Sequence, residues 1–470
     1  MPGDGAVTRL RRYLGELPPS ARALLAAELE RASMRGEDVA GSALILEELR
    51  RDTREPGGPP APRASHPQRL FCAPLTPFLI DQDGRHLGRV ARRSIDPIWQ
   101  WLCREVAPVE AKSYVDEVNL LLAADGPAAA EQVARTFQDV VVERLRETLA
   151  AIKSDIRAAR NISGQIGVRD GAEDLREVYA ILRSRDALAL VASRLPPVIG
   201  NLNETQLDNV KALLDSPVGC HPDVFLHALI VVMSRLAAPW QLIRLAKRAA
   251  NSDEAARVAQ TRFAVAVDLV IAEIERAIAA MRAALEAGRR ADVVPLIKDI
   301  HDAARALHTE LDLSGDLPWA RKLGAARSEA AALLKLEIES TQELVRRLLR
   351  PRQGAEASKV LDAVEVAEAE AALDLFGACR AYAGELAFSE ATRRVDSDLQ
   401  KFCDSGTQIL LDALRTAPPA ERAGRQSQVD AAVRFCGKLF GGEYAALLSK
   451  AADVAAKEQR AAARGQISLV

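Results

Sequence analysis

Apolar residues along most of this chain recur at spacings of three, four and seven, the mark of helices with one or more buried faces. The clearest run, Val258, Phe263, Val267, Val270, Ile274, Ile278 and Met281, predicts the longest helix of the molecule, capped by Ser252-Asp253-Glu254 and ending near Ala287 before Gly288. Ile98, Trp99, Trp101, Leu102 and Val106 form the apolar face of an earlier helix with Pro97 in its first turn, where proline is tolerated. Phe225, Leu229, Val232 and Leu236 do the same behind Pro222. Further helices are expected from Gly126-Pro127 to Arg160, Asp170 to Leu195, Asn203 to Leu214, Ala291 to Leu311, Trp319 to Leu349, Glu356 to Leu386, Ser389 to Leu414, Ser427 to Leu439, and from Gly441-Gly442 to about Arg460. Asn203 and Gln206 stand at capping-box spacing. No fixed-period repeat is present, so the pattern predicts an all-α protein of elongated, irregular multi-helix bundles rather than a solenoid.

Breaks in this pattern suggest how the chain is divided. Residues 1–51 hold short amphipathic stretches, with Leu24, Leu25 and Leu29, then Leu44, Ile45 and Leu49, at helical spacing: a small N-terminal helical module. Residues 52–69 carry Pro56, Pro59, Pro60, Pro62 and Pro67 with Gly57-Gly58 and read as a flexible tether. Residues 70–93, interrupted by Pro74, Pro77 and Asp83-Gly84, are expected as an irregular arm or short hairpin. A helical bundle over 94–250, a long-helix bundle over 251–462 and a flexible tail over 463–470 complete the expected division.

Composition supports helices and narrows function. Of the 470 residues 49% are hydrophobic and 27% charged, so the chain can bury cores, while aromatics at 4% leave little for sheets. A net charge of −2 with interleaved signs lacks the basic face of a nucleic-acid binder. Lys occupies only twelve positions, and the resulting Arg excess is read as codon bias rather than phosphate recognition. Cys72, Cys103, Cys220, Cys379, Cys403 and Cys436 form no CxxC pair and read as reduced core thiols of a cytoplasmic protein. The longest apolar stretch, Val224 to Ser234, is well short of the roughly 20 residues needed to span a bilayer.

Candidate chemistry is sparse, and no phosphate loop, nucleophile elbow, dinucleotide fingerprint or other cofactor motif appears. Asp81-Gln82-Asp83-Gly84 begins like a calcium loop, but Gly84 is fourth where the sixth position needs glycine, and Arg92 stands twelfth in place of glutamate. Cys220, His221 and His227 match no zinc spacing. His301-Asp302 resembles the doublet of helical metal-dependent phosphohydrolases of the HD type, a resemblance that implies metal ligation by His227, His301, Asp302 and Asp374. Here the doublet reads Lys298-Asp299-Ile300-His301-Asp302-Ala303-Ala304, without the apolar run and Gly-Lys that flank it in that family.

Two arginine clusters, Arg85, Arg89, Arg92 and Arg93, then Arg346, Arg347, Arg350 and Arg352, suit docking to an acidic partner or a lipid headgroup. The final Ser468-Leu469-Val470 has the Ser-x-apolar-carboxylate form that strand-adding peptide grooves capture, making Val470 an interaction candidate.

The stretch from Leu70-Phe71-Cys72-Ala73-Pro74 to Pro97-Ile98-Trp99-Gln100-Trp101 resembles one in helical bacterial proteins of uncharacterised function. That resemblance reaches no further than the first third of the chain and implies a bacterial, all-helical protein. The expectation is a non-enzymatic helical scaffold or adaptor that binds other proteins, with self-association through exposed helix faces. A helical HD-like phosphohydrolase and a peripheral membrane adaptor are the alternatives.

Overall fold

The computed structural model describes residues 66–467 apart from 82–85, 125, 315–317 and 386–387, together with Leu25, Leu29 and Ile45. The expected module over 1–51 otherwise lies outside the described residues, as does the tether up to residue 65. Leu25, Leu29 and Ile45 are each helical, and Leu29 is buried.

Seventeen α-helices account for most of the described chain, so the protein is an all-α multi-helix bundle. They are α1 (His66–Cys72), α2 (Arg92–Trp101), α3 (Pro108–Ala123), α4 (Pro127–Ser154), α5 (Ile156–Ile166), α6 (Gly171–Ser193), α7 (Glu204–Asp215), α8 (Pro222–Arg235) and α9 (Leu242–Ala250). After them come α10 (Ala255–Val258), α11 (Ala264–Glu286), α12 (Arg290–Glu310), α13 (Pro318–Leu349), α14 (Ala363–Tyr382), α15 (Ser389–Arg415), α16 (Arg422–Phe440) and α17 (Gly442–Ile467).

Most helix ends follow local chemistry. Prolines open α3, α4, α8 and α13, and before α7 Asn203 and Gln206 exchange hydrogen bonds as a capping box, Gln206 N to Asn203 Oδ1 at 2.9 Å and Asn203 N to Gln206 Oε1 at 3.3 Å. Two expected helices are divided. The run from Pro127 stops at Ser154 because Asp155 adopts an extended backbone and its carboxylate accepts the Arg157 amide at 2.8 Å, capping α5 instead. The expected long helix from Ser252 breaks after Val258: the four-residue α10 is followed by a turn, and α11 begins at Ala264. The longest helix is therefore α13, at 32 residues.

The stretch expected as an arm or hairpin is neither over its first half, where α1 and a 3-10 turn (Ala73–Phe78) bury Phe71, Leu75 and Phe78. Two-residue strands follow, β1 (Leu79–Ile80) and β2 (Val90–Ala91), and they pair in parallel, Leu79 with Val90 and Ile80 with Ala91. A hairpin would pair them antiparallel; here Ile80, Val90 and Ala91 are buried together in the parallel pairing. Gly88 turns the chain at a φ of 66° against Leu226 and Ile230 of α8, where a Cβ would stand 2.5 Å from Ile230 Cδ1.

Contacts gather the chain into two compact units, neither of them a continuous stretch. The first takes the described residues up to Pro196 and adds Ala212–Ser234; the second takes Pro197–Lys211 and everything described from Arg235. The first unit is organised around Phe71, Trp99, Tyr114 and Phe137, contributed by α1 to α4, with the Tyr114 and Phe137 rings stacked at 4.6 Å and Phe71 5.1 Å from Trp99. Gln138, beside this cluster, sends Nε2 to the Phe71 carbonyl at 2.7 Å, and the Tyr114 hydroxyl donates to the Pro67 carbonyl at 2.6 Å.

In the second unit α11 packs on α12 and α13, α14 packs on α12, α13 and α16, and α15 to α17 lie against one another. Arg290 ties three of these helices through Glu337 at 2.7 Å and Glu368 at 3.2 Å. The end of α13 is held by Gln428 of α16, whose amide donates to the Leu348 and Arg350 carbonyls at 3.2 and 3.0 Å. Gly424 makes this approach possible, since a Cβ there would stand 2.2 Å from the Ala357 carbonyl oxygen. Gly424→Ala should destabilise the protein by roughly 2–4 kcal/mol in urea unfolding. Gly377→Ala in α14, where a Cβ meets nothing within 4 Å, should be neutral or stabilise by up to about 1 kcal/mol.

Candidate functional site

The most elaborated concave surface lies in the second unit, where α9, the start of α7 and the end of α12 meet. On α9 the sequence Leu242-Ile243-Arg244-Leu245-Ala246-Lys247-Arg248 buries its four apolar residues and sets Arg244, Lys247 and Arg248 on the opposite stripe. Asn251 ends the helix in the left-handed region at φ 47°, sending Ser252 and Asp253 across to the segment that leaves α12. There Asp312 N donates to the Asp253 carbonyl at 2.8 Å and Ala255 N to the Asp312 carbonyl at 3.3 Å. Hollows of about 720 and 550 Å³ adjoin this bridge and share Asp253 and Glu310 as lining residues.

Glu310 organises the groove. Its side chain is 18% exposed and takes Arg244 at 2.9 Å and Lys247 at 3.4 Å, one on each carboxylate oxygen. The Arg244 guanidinium also donates to Asn201 Oδ1 at 2.9 Å and lies 5.1 Å from the Trp240 ring centre. Arg248 pairs with Asp208 at 2.9 Å and Glu204 at 3.4 Å. In the second hollow Arg327 meets His308 at 3.1 Å. Hydrogen bonds from the Ser314 side chain and backbone hold the Asp312 carboxyl below its ordinary range. Arg244, Lys247, Arg248 and Arg327 are thus matched in number by Glu204, Asp253, Glu310 and Asp312. Asp253 lines both hollows, is exposed, and has no ion-pair partner among the described residues.

The residues singled out from sequence fall elsewhere. His227 belongs to the first unit, 5% exposed at its side chain, with Nε2 3.0 Å from Glu177 and its ring edge-on to Phe78. His301, Asp302 and Asp374 belong to the second. His301 Nδ1 is 3.0 Å from Asp302 and its ring lies 4.9 Å from that of Tyr382. Asp302 takes Lys298 at 2.8 Å, and Asp374 takes Lys438 at 2.6 and 2.7 Å. Burial works against the Asp302 carboxylate, but the bonds from Lys298 and His301 outweigh it and hold the group below its ordinary range. Among the described residues no group of three or more His, Cys, Asp or Glu side chains is arranged to hold a metal ion. Cys220 and His221 form the turn that opens α8, His221 Nδ1 accepting the Asp223 amide at 3.3 Å.

The arginine clusters are largely engaged within the protein. Arg89 donates to the Pro77 carbonyl at 2.8 Å, Arg92 pairs with Asp81 at 2.7 Å, and Arg93 faces the Asp174 carboxyl. Arg346 lies over the Phe402 ring at 5.7 Å, Arg347 reaches Glu365 at 3.7 Å and Arg352 donates to the Lys359 carbonyl at 3.3 Å, while Arg350 is exposed. Arg85 and Val470 lie outside the described residues. No helix among the described residues is long and apolar enough to cross a membrane. No family model, curated protein or solved structure matches the chain.

Reading the sequence alone passed over the groove. The stripe at Arg244, Lys247 and Arg248 was a visible signal, but Glu310, 66 residues from Arg244, becomes its partner only in the fold.

One carboxyl in the first unit is held in its protonated form more firmly than usual. Burial raises Asp174, with the Ala91 amide, 3.5 Å from its Oδ1, opposing the rise. The folded state therefore gives up this proton at higher pH than the unfolded chain does. Asp174 withdraws stability as pH climbs above about 4, the ordinary carboxylate value. Asp174→Asn should raise the midpoint of thermal unfolding by about 2–4 °C at pH 7.5, a gain that disappears near pH 4.

Proposed function

We propose that this chain is a non-enzymatic helical adaptor whose groove around Glu310 receives a polypeptide segment of mixed charge from another protein. The observation carrying this reading is the equal complement of cationic and anionic side chains along two adjoining open hollows. Such a lining gives no net field to gather phosphates or a polyanion, and it can meet both signs of charge on a peptide. Fixing Arg244 by Glu310, Asn201 and Trp240 orients the wall before a partner arrives, so little side-chain freedom is left to lose on binding. Asp253 is the group left for the partner's cation. In this reading the N-terminal module of residues 1–51 is a second point of attachment. Cytoplasmic placement is part of the proposal, supported by six cysteines that are all free thiols.

Affinity capture from native cells with chemical crosslinking tests the reading. Wild type should retain specific proteins crosslinked near Asp253, and the double substitution Glu204→Arg with Asp253→Arg should lose them at unchanged thermal stability. Equal retention by both chains, or crosslinks that avoid the groove, would overturn the assignment.

A further inference from the structure

A further hollow, of about 500 Å³, belongs to the first unit, at the turn from α5 into α6. Ile156, Arg160, Gly164 and Gly167 recur at steps of three or four, so one face of α5 forms its wall. Asp155 caps the start of this helix, and Gly167 ends it at a φ of 82°, where the chain turns and brings Val168, Arg169 and Glu173 into the same lining. At Gly164 a Cβ would meet nothing within 4 Å, so the wall tapers from Ile156 to bare backbone. The amides that open α6 are engaged, Gly171 on the Val168 carbonyl, Ala172 on Ser163 Oγ at 3.1 Å, and Glu173 and Asp174 on the Asp170 carbonyl. Any anion in the hollow must therefore be met by side chains. Arg160 and Arg169 are exposed, and neither has a hydrogen bond or ion pair among the described residues. Glu173, the acidic residue of the lining, is taken by Arg176 at 3.6 Å. Ile156 is 73% exposed, and Ala159 and Val168 beside it are half-buried.

We propose that this hollow binds a small anionic amphiphile, a molecule with one carboxylate or phosphate headgroup on an apolar body. The guanidiniums of Arg160 and Arg169 meet the headgroup, since their planar forks match the oxygens of either anion. Both cations are uncommitted, so binding breaks no existing ion pair. The apolar body lies along Ile156, Ala159 and Val168 and enters the space left open at Gly164. With Glu173 turned to Arg176, the lining keeps an excess of positive charge, which draws anions and turns cations away. This is the reverse of the balanced lining around Glu310, so the site is independent of the groove assigned to a polypeptide. Its volume falls within the range of small-molecule pockets, about 300–1,000 Å³.

Isothermal titration of the folded full-length chain with decanoate, decyl phosphate and decanol, each kept monomeric, tests the site. At least one of the two anions should saturate a single site, the tighter one identifying the headgroup, and decanol should bind at least about tenfold more weakly. Arg160→Gln and Arg169→Gln should each weaken the anion by about tenfold or more, while Arg157→Gln, on α5 but outside the hollow, should leave it unchanged. Gly164→Phe should abolish binding by filling the space while both arginines remain. Should that variant fail to fold, modification of wild type by phenylglyoxal gives a second readout: the bound anion should protect Arg160 and Arg169 and leave Arg157 reactive, as read by peptide mass mapping. Failure of both anions to bind, decanol binding as tightly as they do, or full affinity in the folded Gly164→Phe chain or the double arginine variant would each overturn the proposal. So would protection that misses the two arginines, or capture on phosphatidylglycerol vesicles without binding of the monomeric anions.

Discussion

Burying the ends of helices, more than burying their faces, is the constraint on which this structure depends. Every α-helix leaves four carbonyls and four amides without intrahelical partners, and inside a packed bundle water does not reach them. Three glutamines supply the missing bonds. Gln138 donates to the Phe71 carbonyl where α1 ends, Gln428 to the carbonyls of Leu348 and Arg350 where α13 ends, and Gln241 bridges the Leu202 amide and the Gly200 carbonyl ahead of α7. Each is almost wholly buried. At Gln241 one amide serves as acceptor and donor at once, and an uncharged amide can be buried without the penalty an ion would bring.

Charge is used in a related way between helices. Arg290 holds Glu337 and Glu368, Glu310 holds Arg244 and Lys247, and Arg380 reaches Asp396 and the Leu439 carbonyl. Where such a pair is largely withdrawn from solvent, as Arg290 with Glu337 is, it contributes more to the choice of partner than to stability, because desolvation offsets much of the attraction. The groove of the second unit is built from the same kind of tie, half exposed. It holds its charged groups in fixed positions at the surface while keeping its own net field small.

How much of this was legible in the sequence varied with the range of the interaction. Pro127, Pro222 and the Asn203–Gln206 pair mark helix starts because capping is settled within a few residues. Asp155 was passed over because an aspartate inside a helical run looks like a solvent-facing residue until its carboxylate turns to the Arg157 amide. The buried glutamines gave no signal, since Gln138 and Gln428 occupy positions that read as polar surface. The groove was invisible for a different reason, because Arg244 and Glu310 acquire meaning only when the end of α12 comes back to α9. His301-Asp302 illustrates the converse: a suggestive doublet whose neighbours in space are Lys298 and Tyr382.

The interleaving of the two units has a consequence for synthesis. The first unit needs Ala212–Ser234, and the second claims Pro197–Lys211, which leaves the ribosome earlier. The first core therefore cannot close until residue 234 has emerged. By then a segment belonging to the second unit is already exposed, and it must wait for the more than 200 residues that follow Arg235. At roughly 5–20 residues per second that wait lasts on the order of ten seconds or more. No single cut in the chain separates the two units cleanly.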